Sequence, residues 1–190
     1  MRNDILNRYD RDADGRMIVG VRSESCDALF NAYDFVSSLT KRDLKTDLAE
    51  YLIESVEEIG RRREFVIRVT LPEAEARTAA AQRLADAVRG YFAYRISLAR
   101  GAVRTVVVRS VINLVLALGL LVLIFVLERG GARGESIWSR VFFEGLYIAI
   151  WVLMWPLFSD SLFELRANFR RIRLYQRIMA AELQVSTAGP

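Results

Sequence analysis

Histidine is absent from this 190-residue chain, Cys26 is its only cysteine, and Lys41 and Lys45 are its only lysines. With two lysines among 27 basic residues, 25 are arginine. One chain with no imidazole and a single thiol cannot assemble a His/Cys zinc site, a disulfide, a Ser-His-Asp triad or a Cys-His dyad. No glycine-rich phosphate loop of either nucleotide-binding type occurs. Asp27, beside Cys26, disfavours a reactive thiolate, and a lone cysteine fits a reducing compartment. These absences predict a protein that is not an enzyme and carries no cofactor.

What is present is segregated. The chain is 53% hydrophobic yet 26% charged, so an apolar tract and a water-soluble part must lie in different stretches. The longest uncharged run is Ser110–Leu127, 18 residues, about 27 Å as a helix against about 30 Å of hydrocarbon. Its only strongly polar residue is Asn113, and it lacks the polar stripe of a soluble surface helix. A second apolar stretch, residues 141–159, carries Glu144 and is flanked by aromatic residues, among them Trp138 before it and Trp151 and Trp155 within it, as at membrane interfaces. Pro156 is tolerated near a membrane helix end. A second span is expected here, with a re-entrant or surface helix as the alternative; the connection 128–140 is too short for a domain, so two spans would form a hairpin.

Arginine sets the expected orientation. Arg95, Arg100, Arg104 and Arg109 precede the first span, and Arg166, Arg170, Arg171, Arg173 and Arg177 follow the second; the loop holds Arg129, Arg133 and Arg140 beside Glu128 and Glu135. Basic residues stay on the cytoplasmic side, which predicts both termini in the cytoplasm of a bacterial inner membrane. The N-terminus has no apolar core of signal-peptide type. Residues 1–88 hold 14 Lys/Arg and 17 Asp/Glu, whereas residues 89–109 hold five Arg and no acid. The net charge of +4 is therefore a membrane-flanking feature that favours anionic lipid headgroups as partners, with no nucleic acid.

Residues 16–22 (RMIVGVR) predict a short strand, and Phe65–Leu71 (FVIRVTL) a second, with Phe65, Ile67, Val69 and Leu71 on one face and a mixed set on the other. Between them two helices are expected. The first is capped by Ser23 or Ser25 and presents Leu29, Phe30, Tyr33 and Val36. The second carries Leu44, Leu48, Leu52, Val56 and Ile59 and ends at Gly60. Thr40 as its cap, with Leu39 against Leu44, would form a hydrophobic staple; a start one turn later is equally open. A third helix starts near Glu73 after Pro72. Its seam Leu84, Val88, Tyr91, Arg95, Leu98 and Ala102, and the seam Leu162, Leu165, Phe169, Ile172, Gln176, Met179 and Leu183, are heptad-like. They predict either a cytoplasmic stalk or an arginine-rich helix lying on the inner leaflet.

The chain thus divides into a small cytoplasmic α/β (α+β) head over residues 1–72, a linking or stalk helix over 73–109, a first span over 110–127, a periplasmic loop over 128–140, a second span over 141–159, a cytoplasmic basic amphipathic helix over 160–185 and a tail over 186–190. The whole is mostly α. So small a head is expected to lean on the stalk helices or on another copy, which makes a homo-oligomer or a membrane-protein partner the expectation.

Two motifs invite chemistry. Asp10, Asp12 and Asp14 with Gly15 match the opening of an EF-hand calcium loop, but the twelfth position is Val21 where a bidentate glutamate is required. A Ca²⁺ site and a solvated acidic turn are the two readings. Glu144 and Asn113 are polar groups within apolar spans, where ionisable groups are functional candidates; anchoring near Arg140 competes with a transport or coupling role. Arg61, Arg62 and Arg63 predict a solvated edge or a phospholipid contact, with a partner-binding patch as the alternative.

Three groups of residues also carry a resemblance. They are Asp27-Ala28-Leu29-Phe30-Asn31 with Arg42-Asp43-Leu44 and Glu50-Tyr51-Leu52; Tyr91-Phe92-Ala93-Tyr94-Arg95; and Trp151-Val152-Leu153-Met154-Trp155-Pro156 with Leu174-Tyr175-Gln176-Arg177 and Ala181-Glu182-Leu183-Gln184-Val185. Together they resemble a family of uncharacterised two-span bacterial inner-membrane proteins with a cytoplasmic N-terminal domain. Phe158-Ser159-Asp160-Ser161-Leu162-Phe163 is a loose counterpart of the acidic and aromatic stretch expected there. The resemblance covers most of residues 25–185 and implies the membrane hairpin and cytoplasmic head, with no activity attached. The expected role is a non-enzymatic scaffold or partner-recruiting module; a small transporter or channel subunit and a calcium-responsive sensor are the alternatives.

Overall fold

The computed structural model describes residues 6–34, 38, 42–131 and 136–187, with the side chains of residues 160–162 left aside. Three strands, β1 (Met17–Arg22), β2 (Phe65–Leu71) and β3 (Glu182–Thr187), form a parallel sheet in the order β1-β2-β3. Among the described residues they are accompanied by the α-helices α1 (Thr46–Ile59), α2 (Glu73–Ala76), α3 (Ala79–Arg129), α4 (Ile137–Ser159) and α5 (Arg166–Ala180). A one-turn 3-10 helix spans Asp27–Leu29, and a π-helical segment, Asp160–Leu165, joins α4 to α5. The described chain is mostly helical with a small sheet, as expected. It forms two units, a head (residues 1–97 and 171–190) and a helical unit (residues 98–170).

The central strand explains the head. Parallel strands are covered on both faces and so read as continuous apolar runs. On β2, Phe65, Ile67, Val69 and Leu71 are all buried on one face; on the other Val66 is buried and Arg68 and Thr70 are half-buried. This is the alternation the sequence predicts. Core partners come from α1 (Leu52, Val56, Ile59), from the start of α3 (Leu84, Ala87, Val88, Phe92) and from α5 (Ile172, Leu174, Tyr175, Ile178). The Phe92 and Tyr175 rings lie 5.6 Å apart. The apolar residues of this part of α5 thus face the interior of the head. Gly60 takes φ +79° after the last turn of α1, a conformation that glycine adopts without a Cβ penalty.

The C-terminal helix differs from expectation. A helix over 160–185 was predicted; α5 ends at Ala180, and residues 182–187 pair with β2 in parallel, from Val66↔Glu182 to Leu71↔Thr187. The alternation of Leu183 and Val185 with Glu182, Gln184 and Ser186 suits a strand, and in-register polar pairs fix it: Arg68 donates to Gln184 at 3.3 Å, and the Thr70 and Ser186 hydroxyls share a hydrogen bond of 3.0 Å. Ser186 and Thr187, expected in the tail, close this strand; residues 188–190 lie outside the described residues.

Other boundaries also move. The helix predicted from Ser25 through Val36 is only the single turn Asp27–Leu29. The Ser25 hydroxyl accepts the Ala28 N–H as predicted, but Phe30 bridges to Leu44 and the Asn31 N–H bonds the Asp43 carbonyl, so those backbone groups are committed elsewhere. Tyr33 is exposed. Val36, Leu39 and Thr40, and with them the staple, lie outside the described residues. The helix expected from Glu73 is broken at Arg77 and Thr78. The Thr78 hydroxyl accepts the Ala81 N–H and donates to the Glu75 carbonyl, which makes Thr78 the N-cap of α3.

Candidate functional site

In the helical unit, burial along α3 follows one seam. Ala99, Val106, Ser110, Ala117 and Ile124 are buried, and Val103, Asn113, Leu120 and Leu127 are half-buried. These positions step by four and three, the period of left-handed helix pairs. On α4, Ser139, Phe143, Leu146, Ile150, Leu153 and Leu157 keep the same period, with Phe143 buried. Tyr147 of α4 donates to the Glu128 carboxylate at 3.5 Å, so the two helices meet near the loop.

Within the uncharged run the residues off the seam are mostly apolar and exposed. Val108, Val111, Ile112, Val115, Leu116, Leu118, Val122, Phe125 and Val126 all face outward from α3. Only 11% of the most apolar 18-residue window of α3 is buried, and 6% of that in the helical stretch Ile137–Ala180. Both helices are long and apolar enough to cross a membrane. The core helix of a soluble protein meets the same criterion but is mostly buried, whereas these windows are mostly exposed. Their seam mixes small or polar residues (Ala99, Ser110, Ala117) with large apolar ones (Val106, Ile124, Phe143).

The predicted flanking residues fall in both units. Arg100, Arg104, Arg109, Arg166 and Arg170 belong to the helical unit, Arg95 and Arg171 to the head. Arg95 is half-buried, its guanidinium 5.9 Å from the Tyr91 ring centre and 6.0 Å from that of Tyr175. Arg177, counted in the sequence among the basic residues after the second span, donates to the carbonyls of Gly60 and Arg63 at 3.0 and 2.8 Å and lies over Phe65; it ties α5 to the α1–β2 turn. Trp138, Trp151 and Trp155 are exposed, the last two with stacked rings. Arg133 and Glu135 lie outside the described residues. Arg109 pairs with Glu164 of the π segment at 3.6 Å. Glu144 is exposed on α4, and among the described residues no ion pair joins it to Arg140.

The acidic turn is organised around a cation of its own chain. Asp12 accepts the backbone N–H groups of Asp14 and Arg16 at one oxygen and the Arg16 guanidinium, 2.7 Å away, at the other. Arg16 also reaches Asp14 at 3.2 Å and Glu182 of β3 at 2.8 Å. Burial acts to raise the Asp12 carboxyl, but the Arg16 N–H, guanidinium and charge outweigh it and hold Asp12 below its ordinary range. Hydrogen bonds from Gln184 and then Arg16 do the same for Glu182. Among the described residues no group of three or more carboxylate or thiol side chains gathers as a metal site, and Asp10 is not drawn into this cluster. Cys26 is buried, its thiol pushed up by burial, and its backbone N–H donates to Glu75. The sequence points to Asp12, with Arg16 following the acidic loop, but gives no sign of Glu182, which lies 166 positions beyond Arg16.

No protein family, no curated protein and no solved structure matches this chain.

Proposed function

We propose that this chain is an integral protein of the bacterial inner membrane, anchored by the hairpin of α3 and α4, with both termini in the cytoplasm. Its head acts as a non-enzymatic scaffold or partner-recruiting module. One observation carries the membrane reading: both long helices are apolar enough to cross a bilayer, yet only 11% and 6% of their apolar windows is buried, so large apolar side chains face outward. The head adds an exposed strand, β3, at the sheet edge, a surface that another chain could extend. Light scattering in mild detergent tests the scaffold: self-association or a retained partner is expected, and a lone monomer contradicts it. A second reading, a small subunit of a transporter or channel assembly, draws on the exposed carboxylate of Glu144 within α4. It requires that Glu144→Gln abolish a solute or ion flux, whereas the scaffold reading predicts little change.

A further inference from the structure

Two rows of side chains run along α4. One, through Ser139, Phe143 and Leu146, is the more buried side. The other passes through Val141, Glu144, Ile148, Trp151, Trp155 and Phe158, which step by three and four as the seam of a left-handed helix pair does. At 3.6 residues per turn it lies about 150° around the helix from the first. All of its residues are exposed, Ile148 by 63% and Trp151 by 67%, and the Trp151 and Trp155 rings stack with centres 5.5 Å apart. Lipid covers aliphatic and aromatic side chains well, but it does not satisfy the carboxylate within this row. Glu144 stands about 10 Å along α4 from its first residue, and an ionised group in an apolar span is costly unless it meets a partner. Arg140, one turn nearer the start of α4 and at the edge of the same row, is also exposed, and among the described residues neither side chain has an ion pair. With the base preceding the acid, this is the weaker order for a pair within one helix.

A face that holds an acid and a base one turn apart complements itself. Two copies enter a membrane in the same orientation, so their α4 helices run parallel and equal positions meet at equal depth. Glu144 of one copy is then about 6 Å along the axis from Arg140 of the other, within the reach of a long arginine side chain between helices packed about 8–10 Å apart. We propose that this row is the surface on which a second copy of the chain docks. The two α4 helices form a parallel pair, each Glu144 carboxylate takes the other copy's Arg140 guanidinium, and Ile148, Trp151 and Trp155 fill the rest of the contact. One charged position in an otherwise apolar seam also fixes the register of the pair. The inference rests on the membrane reading and makes the chain itself the partner of the scaffold.

Disulfide trapping of the full-length chain in native membranes provides the test. Ile148→Cys, on the row, is expected to form a covalent dimer under mild oxidation. Phe142→Cys, similarly exposed at 56% but on another side of α4, is expected to form little. Cys26 is buried, so the wild-type chain serves as the uncrosslinked control. Equal trapping at both positions would show random collision and overturn the pairing. So would the absence of trapping at Ile148→Cys in protein that stays with the membrane fraction, whereas protein left in the supernatant would sink the membrane reading as well. On the Ile148→Cys chain, Arg140→Gln and Glu144→Gln are each expected to weaken association about tenfold, the scale of one lost charge-assisted hydrogen bond. Unchanged association in both would overturn the ion pair. Co-expressed and differently tagged, Arg140→Glu and Glu144→Arg are expected to trap mixed dimers in excess of either homodimer. Equal yields of mixed and like dimers would place the two charges within one helix and overturn the proposal.

Discussion

Arg16 joins carboxylates from the two ends of the head: Asp12 and Asp14 before β1 and Glu182 in β3. Because Asp12 and Glu182 are held below their ordinary ranges, their contribution to stability is present above about pH 4, where both ionise when unfolded. It is lost as pH falls through their lowered folded values. The acid limb of the unfolding profile, followed by circular dichroism, is therefore expected to flatten in the double variant Asp12→Asn with Glu182→Gln; an unchanged acid limb contradicts this linkage. Added calcium is expected to release no heat in calorimetry of the wild-type chain, since Arg16 already occupies Asp12; saturable heat lost in Asp12→Ala contradicts that. At Phe92, fully buried against Tyr91 and Tyr175, truncation to alanine is expected to cost about 3–5 kcal/mol of head stability. Denaturant melts check the value, and a loss within the range of surface substitutions contradicts the packing.

At the scale of elements, legibility followed whether a signal was local. β2 announced itself by alternation, α1 by its apolar spacing and Gly60, and the apolar part of α3 by its uncharged run. β3 did not, because heptad steps through Met179 and Leu183 continue the pattern of α5, and its parallel partner lies more than 100 residues earlier. The seam of α3 was misread by one position beyond Val88. Tyr91 and Leu98 continue the spacing of Leu84 and Val88, yet Phe92 and Ala99 are the buried ones and Tyr91 is half-buried. Apolar residues lie on both faces of this stretch, so apolarity alone does not mark the inside. Ala117→Trp, which overfills the seam, is expected to cost about 1–3 kcal/mol and lower the melting temperature in detergent, while Leu118→Trp on the outward face is expected to be neutral. Equal effects contradict the seam. Ending the chain after Ala181 removes β3 and leaves one edge of β2 without backbone partners. Hydrogen exchange at β2 amides is expected to accelerate; unchanged protection contradicts the pairing.

For the whole molecule, the central claim is that α3 and α4 cross a bilayer with the head on the cytoplasmic side. The single cysteine makes this directly measurable, because Cys26 is buried and gives little background labelling. Ser136 lies beside the start of α4 and Arg62 in the α1–β2 turn, both exposed. Single Ser136→Cys and Arg62→Cys variants treated with a membrane-impermeant maleimide in intact cells therefore report the two sides of the membrane. Ser136→Cys is predicted to react at once and Arg62→Cys only after lysis. The reverse order, or protection of both until lysis, would contradict the account.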